Sequence, residues 1–199
     1  LNEEDLKVIG CEDHIERAKQ AADKGITLVK NTLDQLPIRP ETHKRIRLYY
    51  LEGEKGGLLG DSDSLQTIVK ELESRGFEVT VNDGNTRVKG PTLKYREEVD
   101  AALVFSNVVG YGAENNYRIK WKMAMSNEVP WYVHEVPTVF VSLNYTTHLT
   151  DVPMVKCYIN AYKDTEITIK AVIDKIMGES EFHGTPNENV WCNKWDTRL

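Results

Sequence analysis

The sequence predicts an α/β fold, a three-layer α/β/α sandwich around a mainly parallel, flavodoxin-like sheet with one added N-terminal strand. Short β-branched runs alternate with stretches of helical periodicity, the rhythm of strand–helix–strand units. Some of the runs have a continuously apolar centre, "AALVF" and "VFV" among them, as strands covered on both faces read. Glycines also stand where helices should stop, at Gly25, Gly76 and Gly178.

Taken in order, "EDHIERAKQAADK" (12–24) places Ile15, Ala18 and Ala22 at helical spacing and is ended by Gly25. "ITLVK" (26–30) is the added strand, and the prolines at 37 and 40 mark a connection. "RIRLYYL" (45–51) opens the parallel series. A glycine-rich loop follows, then a helix over 64–75 with Leu65, Ile68, Val69 and Leu72 on one face, then the strand "FEVTV" (77–81). A short helix leads into a strand at 100–105, and a further helix is expected around 117–126. "PTVFVSLN" (137–144) and "PMVKCYIN" (153–160) read as strands. The last helix starts from an Asp164 cap, with Ile167, Ala171, Val172 or Ile173, and Ile176 turned inward. Ligand-facing loops belong at the carboxyl ends of such strands.

Composition narrows the functions. Of 199 residues, 31 are acidic and 25 basic, a net charge of −6 without a basic cluster, which opposes nucleic-acid binding. No apolar run approaches the roughly 20 residues that cross a bilayer, and the N-terminus has no cationic, apolar leader. Cys11, Cys157 and Cys192 are odd in number and widely spaced, as reduced thiols are, so a cytoplasmic setting is expected. The histidines lack metal-binding spacing; His134-Glu135 has no second histidine, and neither metal nor cofactor is expected. A chain that starts at Leu1 reads as a fragment or a processed product.

Four motifs invite chemistry. The loop "EGEKGGLLGDSDS" (52–64) stands where a phosphate could be cradled. It matches neither nucleotide-binding spacing, and Glu52, Glu54, Asp61 and Asp63 face a single Lys55. "GDSDSL" offers Ser62 as an esterase nucleophile, but no aspartate stands three residues before any histidine to complete a DxxH base. "NYT" at Asn144 matches a glycosylation sequon by pattern alone. Trp191 and Trp195 read as packing for a C-terminal tail rather than a sugar platform.

"AADKGITLVKNTLDQLPI" (21–38) resembles a junction in glycoside hydrolase family 3, where a helix leads into "ITLLKN", a gap and "LPL" or "LPI". The next strand, "RIRLYYL", follows as it does there. "AVIDKIMGESEFHGTPNENV" is similar to that domain's closing helix and "GE.PFxGKLP", with Thr185 and Asn187 departing from the pattern. The resemblance covers nearly the whole chain. It implies an α/β sandwich domain over 25–199, preceded by a linker and connecting helix (1–24) from an N-terminal (β/α)₈ barrel. In that family the barrel carries the nucleophile and most sugar contacts.

The function so implied is that of a C-terminal domain of a β-N-acetylhexosaminidase. Its partners would be the barrel and a carbohydrate, and the isolated domain would be inactive. Within "SNVVGYGAENNYRIKW" (106–121), the loop would contribute polar contacts through Asn107, Tyr111, Glu114, Asn115 and Arg118. In the β-glucosidase branch a glutamate of a "GE.PYAE"-like stretch is the general acid/base, and Glu114 stands at its place. Asn115 and Asn116 depart from the Gly–Asp that follows there, and nothing in "AENNYR" promises the desolvation that raises a carboxyl pKa. No catalytic residue is therefore expected on this chain, with Glu114 as the alternative. A free-standing flavodoxin-like binding module is the alternative of another class.

Overall fold

The computed structural model describes residues 6–52, 63–84, 92–108, 118–121 and 131–187. Six strands form one sheet: β1 (Thr27–Asn31), β2 (Arg45–Glu52), β3 (Glu78–Val81), β4 (Ala101–Asn107), β5 (Thr138–Ser142) and β6 (Cys157–Asn160). Their order is β1-β6-β5-β4-β2-β3, parallel throughout except for β1, which runs antiparallel to β6. Leaving out β1, this is the doubly wound flavodoxin order.

Alternation along the strands divides the buried side chains between two faces. On one, Leu48, Leu103, Val141 and Ile159 meet Ile68 and Leu72 of α2 (Ser64–Ser74) and Ile169, Val172, Ile173 and Ile176 of α4 (Glu166–Met177). The half-buried Ala22 of α1 (Glu12–Gly25) joins this side. On the other face, Tyr49, Val104, Phe140 and Tyr158 meet Tyr95 of α3 (Thr92–Glu98), Tyr132 and Val133 of a 3-10 turn at Trp131–His134, and Leu149 of another at His148–Thr150. Three layers result.

Several expected elements differ. Residues 118–121 are not helical: Ile119 is buried, and its amide donates to Asp151 Oδ2 at 3.3 Å. The segment 153–156 is a turn, with Val155 buried among the rings, so β6 begins only at Cys157. The cap of α4 is Thr165, whose hydroxyl accepts from the Thr168 amide at 3.3 Å. Asp164 is drawn away by other partners. Ile167 is half-buried at the helix edge, while Ile169 is wholly buried.

Candidate functional site at the carboxyl ends of β2 and β4

The sheet order reverses between β2 and β4. From β2 the chain moves outward to β3, and from β4 it moves the other way to β5. Such a reversal leaves a crevice at the carboxyl ends of the two strands, the usual ligand position in open parallel sheets. Glu52 and Asn107 are partners on the last rung of that pair. Residues 53–62 and 109–117, which come after these two strands in the sequence, lie outside the described residues.

Asn107 is almost fully buried, and its amide ties four segments together. Nδ2 donates to the Tyr50 hydroxyl at 2.9 Å and to Asp164 Oδ2 at 3.2 Å, while Oδ1 accepts from Asn144 Nδ2. Asp164 also receives the Ser64 hydroxyl, which lies 3.2 Å from its carbonyl and 3.5 Å from Oδ2, and its Oδ1 lies 3.5 Å from Lys163 Nζ. The last residues of β2 and β4, the turns after β5 and β6, and the start of α2 are thus joined by side chains. A buried amide with its donors and acceptor engaged rigidifies what it touches.

Beneath this cluster lies a row that sequence reasoning missed. Ser106, Ser142 and Asn160 are register partners on adjacent strands, all buried and all on the face that carries the rings. The wholly buried His148 places Nδ1 3.3 Å from the Ser106 hydroxyl and 3.0 Å from that of Ser142. A signal existed: β4, β5 and β6 each run out of an apolar stretch into serine or asparagine, in "FSN", "VSLN" and "YIN".

Of the expected contacts, Asn107 stands at the base of the loop and Arg118 at its far end. Arg118 Nε donates to the nearly buried carboxylate of Asp151, which follows the 148–150 turn. The two therefore grip different parts of the molecule and bracket the segment between them. Tyr111, Glu114 and Asn115 lie outside the described residues, as do Ser62, Trp191 and Trp195. Among the described residues no group of three His, Cys, Asp or Glu side chains could hold a metal ion, and no helix is long and apolar enough to cross a membrane.

No protein-family model matches the chain. A beta-N-acetylglucosaminidase/beta-glucosidase of Cellulomonas fimi is 32% identical to it over 197 residues, which are 96% of this chain and 35% of that protein. The chain thus spans about a third of the length of that curated relative. A solved structure of a beta-glucoside phosphorylase, BglX, superposes with a TM-score of 0.78 at 32% identity, over 88% of this chain and 31% of that one. A glycoside hydrolase family 3 beta-N-acetylglucosaminidase from Paenibacillus gives a TM-score of 0.58 at 16% identity, over 87% of this chain and 32% of that one, a likeness of fold alone. The chain matches the C-terminal part of its 32%-identical relatives, and its α/β fold is the one found in a glycoside hydrolase family 3 structure.

Proposed function

We propose that this chain is the C-terminal domain of an enzyme that removes β-linked N-acetylhexosamine residues. In this reading it packs on an upstream (β/α)₈ barrel that holds the nucleophile, and it lends the 109–117 loop to the sugar site. The observation that carries the reading is the bracketing of that loop. Asn107 fixes its departure at the crevice, and the Arg118–Asp151 pair fixes its return. A loop held at both ends can present polar side chains to a second domain without losing much freedom on closure. Tyr111, Glu114, Asn115 and the exposed part of Arg118 are the groups it would offer.

The substrate class is supported by the Cellulomonas fimi relative, whose name gives both an N-acetylglucosaminidase and a glucosidase activity. The test is the full parent protein assayed on aryl β-N-acetylglucosaminide and aryl β-glucoside. A preference of about tenfold or more in kcat/KM for the N-acetyl sugar, ~1.4 kcal/mol at the transition state, supports the reading. Equal or reversed preference overturns it. The domain alone should turn over neither substrate, since glycoside cleavage needs groups on both sides of one bond.

A second reading is favoured by the likeness to a beta-glucoside phosphorylase at 32% identity. There inorganic phosphate takes the place of water as acceptor. Rate acceleration by phosphate, with sugar 1-phosphate as product, would move the assignment there. The branch with Glu114 as general acid/base is separated by Glu114→Gln in the parent, assayed on a substrate with a poor leaving group. A loss of about a hundredfold or more, partly restored by azide, would establish that branch.

A further inference from the structure

Eight large apolar side chains stand exposed among the described residues, and four of them, Leu6, Val8, Ile9 and Ile15, fall within ten residues at the head of the chain. Scattered singly, exposed apolar residues need no explanation; clustered on one short segment, they mark a contact surface. The segment is folded. The Ile9 amide donates to the Leu6 carbonyl at 3.0 Å, Gly10 turns the chain at a φ of 72°, and α1 follows directly.

α1 buries no residue of its own, yet its last turn is clamped. Asp23 Oδ1 accepts from Lys175 Nζ at 2.9 Å and from the Ser180 hydroxyl at 2.5 Å. The Lys175 side chain is wholly buried and also donates to the Glu181 carbonyl at 2.6 Å. Gly184 then lies so close to Ile26 and Thr27 that a Cβ there would stand 2.5 Å from the Thr27 methyl. Helix α4 and the segment after it therefore fix the direction in which α1 leaves the domain.

We infer that the apolar segment over 6–15 is the docking surface for the domain that precedes this one in the parent chain. The inference rests on the two-domain reading above and says which face of this domain the other covers. The occupant follows from continuity. The match to the Cellulomonas fimi relative lies in its C-terminal part and leaves about two thirds of that protein upstream. The chain from there must enter through this segment. α1 then acts as a strut, with one end clamped by Asp23 and Lys175 and the other seated in the upstream domain.

Cys11 is a natural probe, since it is half-buried and stands between Ile9 and Ile15. The native parent, carrying Lys70→Cys on the exposed side of α2 as reference, is labelled with a maleimide and both peptides are followed by mass spectrometry. Cys11 should react about tenfold or more slowly than the reference, because labelling then waits on local opening. Ile9→Asp with Ile15→Asp should bring its rate to within about threefold of the reference, as an unseated segment would allow. Hydrogen exchange of the 6–15 amides in the unaltered parent gives the same answer without substitution. Cys11 reacting as fast as the reference, or protection that appears only as protein concentration rises and so belongs to a second copy, overturns the proposal. A parent active on the N-acetyl sugar with an unprotected Cys11 sinks the docking surface alone. A parent inactive on both sugars with a protected Cys11 sinks the activity alone.

Discussion

One sheet is covered in two ways. Helices α2 and α4 cover one face with aliphatic side chains at repeating intervals, while α3 and two 3-10 turns cover the other largely with rings. Tyr49 and Tyr132 stack at 4.4 Å, Tyr95 and Tyr132 at 5.7 Å, and Phe140 and Tyr158 at 5.3 Å. A long helix supplies ridges that interdigitate with a strand surface. A short turn supplies none, so flat side chains with few rotatable bonds do the covering instead. The buried polar row of Ser106, Ser142 and His148 lies on the ring face, close to the crevice. The helical face buries polar groups too, Lys175 and Asn107 among them, but on the ring face they form a row across adjacent strands.

The largest expected effect tests that division. Tyr132 is wholly buried and stacks on two other tyrosines, so Tyr132→Ala should cost about 3–5 kcal/mol. Ile173→Ala on α4 removes less area and leaves a helix that can settle, so it should cost about 2–4 kcal/mol. Urea unfolding of the two variants gives the order directly. If Ile173→Ala proves the more damaging, the ring face is a cover and not a core.

Next in size is the seal over β1, at the edge of the sheet. A Cβ on residue 184 would lie 2.5 Å from the Thr27 methyl and 2.7 Å from the Ile26 carbonyl oxygen, and β1 is held in the sheet. Gly184→Ala should therefore cost about 1–3 kcal/mol, the range for overpacking a filled site. It should also raise hydrogen exchange around Ala22 and Ile26. A loss of only a few tenths would show that the tail moves aside freely and does not belong to the packed face.

How much of this was legible follows the same division. α2 announced itself because Leu65, Ile68, Val69 and Leu72 repeat at helical spacing, and all four are turned toward the core. The ring face had no such period. Val155 looked like part of a strand because it is apolar, but its burial comes from a turn folded over β6. Residues 118–121 looked helical by composition, whereas Asp151 holds the chain there through a contact 32 residues away. Asn107 was legible as a polar residue ending an apolar strand. Its partners Tyr50, Asn144 and Asp164 were not, since only the fold brings them to it.

The α4 cap separates local from tertiary demand on adjacent residues. Either Asp164 or Thr165 could cap a helix. The Asn107 cluster takes Asp164, and Thr165 caps. Thr165→Ala should cost about 1 kcal/mol in global stability. Asp164→Ala should leave the exchange of α4 amides unchanged and instead raise exchange at Asn107 and Asn144. If both variants loosen α4 equally, the division of labour is wrong.

The smallest effect concerns charge at the edge of the helical face. The Ser180 hydroxyl holds the Asp23 carboxyl below its ordinary value of 3.8; burial opposes this, and Lys175 adds to it. A carboxyl depressed in the folded state contributes stability above its unfolded value and loses that contribution as pH falls through the folded one. The unaltered chain should therefore exceed Asp23→Asn in urea midpoint near neutral pH, with the gap closing below about pH 4. The gap should be modest, because the Asp23 side chain is about a third exposed and water screens the pair. Lys175→Met separates charge from shape. It keeps the buried stem but removes the ammonium, leaving Asp23 with the Ser180 hydroxyl as its first partner. If Ser180 is the larger cause, the closing of the gap should persist in that background, shifted slightly toward higher pH. If it vanishes, the ammonium carries the effect, and the clamp on α1 is an ion pair rather than a hydrogen-bonded knot.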